Sequence, residues 1–384
     1  MNQKITYCIP SKNNLRYLKS SIKSIKENSE HEFDIVVYVD SDNDGTKEWL
    51  DSEGVRYLVN ETNIPRGIAY GYNRCIEAAE TPIVCMFHAD MYMGKGFDTA
   101  ILKYLKPLSV VSGTRIEPPL HPKGLEKIVE DFGMYPEDFK KDEFDSFVQK
   151  TIQENKNKTT RGIFAPWAIY KEDITSIGMH DEFFHSYHED SDIFNRFILN
   201  GYDIIQTWEG LVYHLTCRGG QFQDGIEQVT QDPKFHLMKH NAAKNYVRKW
   251  GHFVKNDQYQ YPIIPSKYYI QFNIQNCNLQ LLSMLEPWCS KMSVDLGSDM
   301  IENYIRAEKG NTTFNLEEKI NQSGEGDIVV SFDASKVNQQ SFQYIQQLSE
   351  IFDANEIQEG SFEFDIFDVK INKVRTYQDT LVKL

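Results

Sequence analysis

Apolar and polar positions in the first half of the chain alternate between two periods. "KITYCIP" is a strand-like run, and Leu15, Leu18, Ile22 and Ile25 then recur at helical spacing, with Asn13 or Asn14 placed as a cap. "FDIVVYV" and "VRYLV" are a second and a third apolar run. Between them lie the turn cluster "DSDNDGT" and a short helix, "KEWLDSEG", ended by glycine. Residues 67–79 read as a helix, and "PIVCMF" is a fourth strand. Near-continuous apolar strands separated by helices predict a parallel sheet covered on both faces. Ligands of such sheets bind beyond the carboxyl ends of the strands. Polar residues collect at those ends: Ser11 to Asn13, Asp40 to Asp44, and His88 to Asp90.

Further along, residues 123–158 are charged and read as mostly helical, closing on the loop-like "ENKNKTT". "GIFAPWAIY" resumes strand character, and "DSDIFNRFILNG" is a helix with Ile193, Phe194, Phe197 and Ile198 on one face. "HLMKHNAAKNYVRKWG" is another helix with a glycine stop. After Gly251 the character changes to a strand "DIVVSFD", a helix "QQSFQYIQQLSEIF" and a half-exposed antiparallel strand "FEFDIFDVKI". The pattern predicts an α/β domain over 1–255 and a smaller α+β domain over 262–384, to which no chemistry is assigned. By position alone, the second is a candidate for acceptor recognition or for contact between identical subunits.

Composition changes this picture in few places. At 384 residues and 40% hydrophobic content, the chain has enough core for two domains. A net charge of −15 excludes a broad nucleic-acid surface and leaves room only for a local basic groove. No run of about 18 apolar residues is present, and no signal-peptide-like apolar stretch opens the chain, so a cytoplasmic protein without a transmembrane segment is expected. The six cysteines are scattered without a C-x-x-C pair, which favours reduced, buried thiols over zinc.

Three clusters carry candidate chemistry. Asp90 interrupts an apolar run at a strand's carboxyl end; it suits a divalent cation that neutralises a diphosphate, or else a helix cap or turn. In "HSYHEDSDIF", Glu189, Asp190 and Asp192 crowd beside His185 and His188 at the start of a helix. The helix dipole stabilises an aspartate anion there, which suits a general base; the plain alternative is an acidic, capped first turn. In "VYHLTCRGG", His214 ends an apolar run and pairs chemically with Asp90 as a nitrogen ligand for Mn²⁺, or is a satisfied core histidine. Arg218, on a glycine-flanked loop, is either a phosphate ligand or a solvated side chain.

Taken in order, these pieces resemble the family 2 inverting nucleotide-sugar glycosyltransferases of the GT-A fold, from about Lys4 to Gly251. "IPSKNNLRYLKSSIKSI" is similar to the family's first strand and helix, whose Pro-x-x-Asn segment cradles the nucleoside. Pro10, Ser11, Lys12 and Asn13 occupy it here, with a lysine where an aromatic often stacks on the base. "VVYVDSDNDGTKEWL" resembles the Asp-rich second-strand motif, which implies that Asp40 or Asp42 meets the base or ribose. "NIPRGIAYGYNRCIEAAETPIVCMFHADM" resembles the Asn-x-Gly-x-x-x-Ala-x-Asn helix, strand and D-x-D motif, with Asn63, Arg66, Gly67 and Asn73 at motif-like positions. His88 stands where the first Asp of D-x-D is expected, followed by Ala89 and the metal-binding carboxylate Asp90.

"GMHDEFFHSYHEDSDIFNRFILNGY" resembles the family's Gly-x-x-Asp-Glu-x-Phe…Glu-Asp-x-Asp segment. That implies Asp190 as catalytic base, with Glu189 beside it, and His214 falls where several members place a metal-binding histidine. The resemblance thus implies Mn²⁺ or Mg²⁺, a nucleotide-diphosphate sugar donor, and a glycan or other hydroxyl acceptor. Trp167 is a candidate platform for an acceptor sugar, or a core residue. Two rival functions fit the same fold: a sugar nucleotidyltransferase, which "CIPSKNNLRYL" disfavours for want of glycines, and a non-catalytic nucleotide-sugar or glycan-binding protein.

Overall fold

Strand and helix alternate through β1 (Ile5–Lys12), α1 (Leu15–Asn28), β2 (Phe33–Ser41), α2 (Thr46–Ser52), β3 (Arg56–Val59), α3 (Ile68–Ala78) and β4 (Ile83–Met86). This computed structural model describes residues 4–62, 64–216, 233–322 and 324–376. The first unit continues with β5 (Met91–Met93), α4 (Phe97–Tyr104), β6 (Ser109–Glu117), β7 (Lys127–Val129), α5 (Lys141–Glu154) and β8 (Thr159–Thr160). It then runs through β9 (Trp167–Tyr170), α6 (Lys171–Ser176), α7 (Glu189–Leu199) and β10 (Asp203–His214).

These strands form one ten-stranded sheet in the order β3-β2-β1-β4-β9-β6-β10-β5, with β7 beside β6 and β8 beside β10. β1 to β4 pair in parallel, as do β6 and β10. β9 and β5 run antiparallel to their neighbours. The parallel strands read as unbroken apolar runs because both faces are covered, with Cys8, Ile9, Val36, Val37, Val84 and Cys85 all buried.

Local chemistry explains where the sequence reading and the structure differ. Asn14 sits at the N-cap of α1 without a side-chain cap. Asp44, from the loop after β2, supplies it instead, accepting from the Leu15 amide at 2.7 Å. Residues 123–158 are not mostly helical: β7 precedes a single 3₁₀ turn and α5. β7 forms because it pairs with the end of β6, Arg115 opposite Lys127 and Glu117 opposite Val129.

By packing, the chain divides into Met1–His236 with Asn256–Pro262, and Leu237–Lys255 with Ile263–Leu384. The helix α8 (Pro233–Trp250) packs mostly with the second unit. Its Val247 enters that unit's core, Asn245 bonds to the Asn311 carbonyl, and Arg248 forks onto buried Glu286 at 2.6 Å.

The second unit contains β11 (Ile270–Gln275), α9 (Leu279–Leu285), β12 (Lys291–Val294), α10 (Ser298–Glu308), α11 (Leu316–Lys319) and β13 (Ile328–Asp333). It ends with α12 (Gln339–Gln346), α13 (Leu348–Ala354), β14 (Gly360–Phe364) and β15 (Phe367–Ile371). Its five-stranded sheet has the order β12-β11-β13-β15-β14. The segment read as one strand, "FEFDIFDVKI", is a hairpin that turns at Asp365, φ +49°. Aspartate tolerates that left-handed conformation, so a period-two pattern hides a turn. Among the described residues no helix is long and apolar enough to cross a membrane.

Candidate metal and donor site

The chain after β4 makes a tight turn, with the Met91 amide donating to the His88 carbonyl at 3.2 Å, and then enters β5. β5 pairs with the end of β10, setting Met91 opposite His214, and the Leu215 amide donates to the Asp90 carbonyl at 3.0 Å. This pairing brings His214 to Asp90: Nε2 lies 3.5 Å from Oδ1. The His88 and His214 rings are 5.6 Å apart between centroids. His88, Asp90 and His214 each offer a ligand atom, and those atoms lie within 4.8 Å of one another. Two imidazoles and a carboxylate are a sound donor set for a first-row divalent metal.

Electrostatics at His88 favour that use, while His214 must give up a proton to ligate. Burial pushes the His88 imidazole down to about 4, against the pull of Asp90, so at neutral pH it offers a lone pair. Burial also pulls His214 down, but Asp90 and Glu117 outweigh it and carry the group up to about 9 without metal. Asp90 itself is 5% exposed.

Sequence reasoning missed Glu117. It is 2% exposed and accepts His214 Nδ1 on Oε1 at 3.1 Å. Arg115 lies 3.0 Å from Oε1, and Lys127 donates to Oε2 at 2.8 Å. Burial alone would raise its carboxyl, yet the His214 hydrogen bond and then Arg115 hold it well below the usual carboxylate range. No local pattern marks it: in "SVVSGTRIE" the glutamate follows mixed polar and apolar residues.

The loops expected to hold a donor are built by their own acidic residues. Asp40, 7% exposed, accepts the Arg66 amide at 2.7 Å on one oxygen and the Gly67 amide at 3.1 Å on the other. Asp42 accepts the Thr46 amide at 2.8 Å and lies 3.5 Å from Lys47. Both carboxylates therefore shape the loop between β2 and α2 and the entry to α3, and neither projects free. Asn13, φ +49°, accepts the Asn43 amide at 2.9 Å and ties the same loop to the end of β1. Ser11 Oγ is buried there without a hydrogen-bond partner, Pro10 is half-buried, and Lys12 is exposed past a register shift in β1. Ala89 is buried in the 88–90 turn, and Arg66 is exposed with its guanidinium 4.3 Å from the Tyr70 ring centre.

Gly67 has a specific job. Its φ is +86°, and a Cβ there would meet the His185 carbonyl oxygen at 2.1 Å. That close approach lets the Ile68 amide donate to the His185 carbonyl at 2.6 Å, while His185 Nδ1 lies 3.1 Å from the Arg66 carbonyl. The loop before α7 is thereby fastened to the start of α3.

At the start of α7, Glu189 Oε2 is buried without a hydrogen-bond partner. Burial, then the adjacent Asp190, raises its carboxyl well above the usual range. Beside it, Asp190 Oδ1 accepts the Ser191 amide at 2.6 Å. Tyr72 links this end to the metal turn: its hydroxyl donates to the Phe87 carbonyl at 3.5 Å, and Glu189 acts on it electrostatically. Asp192 has a separate, structural task in a buried pair with Arg196 at 2.9 Å, both side chains at 0% exposure. Arg196 also holds the Ile177 carbonyl at 2.8 Å.

Two expected contacts are not made available. Trp167 is 2% exposed and packs on His180, Phe194 and Phe197, so it is core and not an acceptor platform. Asn73 is buried and spans from α3 to the next loop, donating to the His180 carbonyl at 2.9 Å and accepting its amide at 3.0 Å. It is a strut and not a donor ligand. Arg218 and Asn63 lie outside the described residues.

Residues 6–178 match the family model described as glycosyl transferase family 2. The resemblance read from the motifs holds over that segment, and the mixed, mostly parallel sheet is the GT-A arrangement it implied. No curated protein matches the chain. Among solved structures, the chain is similar to GalNAc-T7 with UDP, GalNAc and Mn²⁺, at 14% identity and a TM-score of 0.45, covering 64% of this chain and 48% of that one. It is also similar to the mannosyltransferase PcManGT from Pyrobaculum calidifontis with GDP-Man and Mn²⁺, at 16% identity and a TM-score of 0.41, covering 64% and 63%. A third is S. aureus TarS 1-349 with UDP, at 14% identity and a TM-score of 0.41, covering 55% and 60%. The chain thus spans about half to under two thirds of the length of these three structures.

Proposed function

We propose that this chain is a Mn²⁺-dependent glycosyltransferase that moves a sugar from a nucleoside-diphosphate donor to an acceptor hydroxyl with inversion. The observation that carries the reading is the convergence of His88, Asp90 and His214 at the carboxyl ends of β4 and β10, the first two within the segment that matches the family model. Two imidazoles favour Mn²⁺ over Mg²⁺, which prefers oxygen ligands and keeps its waters. Bound there, the metal supplies positive charge against the diphosphate as it leaves.

The remaining chemistry belongs to the protein. Asp190 accepts the acceptor's hydroxyl proton while that oxygen bonds to the anomeric carbon. The bond from that carbon to the diphosphate oxygen breaks on the opposite face. Burial and Asp190 both raise the Glu189 carboxyl, which disfavours a second anion beside the base. The loops stapled by Asp40, Asp42 and Asn13 frame the nucleoside beside Ser11, and Arg218 is proposed as a phosphate contact. The acceptor is a glycan or another hydroxyl compound.

Incubation with UDP- and GDP-sugars, with Mn²⁺ or with EDTA, tests this reading. Transfer or slow donor hydrolysis that stops in EDTA supports it, and NMR of the first-formed anomer tests inversion. Metal-dependent nucleotide binding without turnover of any donor would instead favour the non-catalytic binding protein.

A further inference from the structure

We propose that Glu117 is the positioning residue that fixes the ring of His214 for metal binding. This rests on the metal reading of His88, Asp90 and His214. A neutral imidazole has one protonated and one bare nitrogen, and only the bare one can ligate. In His214, Nε2 faces Asp90 at 3.5 Å and Nδ1 faces Glu117 Oε1 at 3.1 Å. An ionised carboxylate only accepts hydrogen bonds, so Glu117 holds the proton on Nδ1, and Nε2, toward Asp90 and His88, is the nitrogen that gives up its proton to a metal.

Three features make this orientation rigid. β6 and β10 pair in parallel with Tyr213 opposite Ile116, so the backbone itself sets Glu117 beside His214. Arg115 at 3.0 Å and Lys127 at 2.8 Å occupy both oxygens of Glu117 and keep it an acceptor. Glu117 is also 2% exposed, so neither water nor a rotamer change competes for the ring. Arg115 and Lys127 lie opposite each other across β6 and β7, which assigns a purpose to a short strand that otherwise ends in a loop.

The substitution Glu117→Gln tests the point with little change in shape. Arg115 and His214 meet the same oxygen, Oε1, and Lys127 meets the other, so a neutral amide satisfies all three in neither orientation. With NH₂ toward His214 the Nδ1–H donor loses its acceptor, and with the oxygen toward His214 the ionised acceptor that fixes Nδ1–H is gone. Titration with Mn²⁺ alone, read by the electron paramagnetic resonance signal of the free ion, should show a roughly 10- to 100-fold weaker affinity for Glu117→Gln. Lys127→Met, which frees Oε2 but leaves Arg115 and His214 on Oε1, should lose clearly less affinity than Glu117→Gln.

Wild-type protein that binds Mn²⁺ as tightly as Glu117→Gln overturns the proposal while sparing the metal site. Equal losses in Glu117→Gln and Lys127→Met also overturn it, because general disturbance of the cluster is then the cause. Wild-type protein that leaves the Mn²⁺ signal unchanged overturns the metal reading itself. Should Glu117→Gln fail to fold, ¹⁵N NMR of the wild-type histidines with Zn²⁺ bound decides. A proton on His214 Nδ1 supports the assignment, and one on Nε2 refutes it.

Discussion

His214 Nε2 stands 3.5 Å from Asp90 Oδ1, joined by the antiparallel pairing of β10 with β5. Burying a carboxylate is costly unless it is paired, and here the two side chains pair with each other. A metal held between them is the use proposed for this pair. Asp90→Asn should keep the fold, because the amide can still meet His214, and should lower Mn²⁺ affinity by at least about tenfold. Isothermal titration of Mn²⁺ into wild type and variant checks this; equal affinities would remove Asp90 from the metal site.

Asp190 and Asp192 belong to one acidic turn but should respond differently. Loss of a general base costs about 10²–10⁴ in rate. Asp190→Asn should therefore lose transfer by that factor while melting and nucleotide affinity stay near wild type. Asp192→Asn breaks a buried pair with Arg196 and should cost about 3–5 kcal/mol in stability. Urea titrations beside transfer assays separate the two; a destabilised Asp190→Asn would make Asp190 structural.

Gly67→Ala should be among the most damaging single-methyl changes in the first unit. The position has φ +86°, and the new Cβ would meet the His185 carbonyl oxygen at 2.1 Å. Backbone strain of this kind costs about 1–3 kcal/mol before the clash is counted. The loop carrying Asp190 must also move away from α3, so transfer should fall further than the stability loss explains. A variant with wild-type melting and rate would show that the two segments are not fastened through this glycine.

Acid should destabilise the protein through buried neutral histidines. His180 stacks on Tyr72 at 5.2 Å between centroids, and burial, with Arg196 adding to it, pushes its imidazole down to about 3. In the unfolded chain it takes its proton near 6.5. Between those values the unfolded state holds more protons, so stability is full above about pH 6.5 and falls as pH drops toward 3. One such group contributes up to about 1.4 kcal/mol per pH unit in that window. His88 and His252, each pushed down to about 4, act with the same sign. His180→Phe keeps the stacking and should flatten the slope of unfolding free energy between pH 5 and 6; an unchanged slope would mean that His180 is not buried neutral.

The sequence displayed the strand-end polar residues because an aspartate or histidine after an apolar run has few structural uses. It also displayed α1 and α7, whose apolar spacing is regular. What each polar residue does at a strand end was less legible. Asp40 and Asn73 sit at motif-like positions but spend their hydrogen bonds on backbone amides and carbonyls of other loops, which no local pattern reveals. Trp167 is core because β9 lies between β4 and β6, a pairing made across long stretches of chain. Glu117 was hidden for the same reason: its partners come from β7 and β10, and the three meet only in the sheet.

The central claim is a metal-dependent nucleotide site, and thermal melting with UDP, GDP, dTDP or CDP, each with Mn²⁺ or with EDTA, tests it most directly. A nucleotide at 100 times its dissociation constant stabilises the protein by about 2.7 kcal/mol, a readily measured shift. At least one nucleotide should raise the melting temperature with Mn²⁺ and not with EDTA, and Asp90→Asn should abolish the difference. No shift from any of the four at millimolar concentration with Mn²⁺, or an equal shift in EDTA, would contradict it.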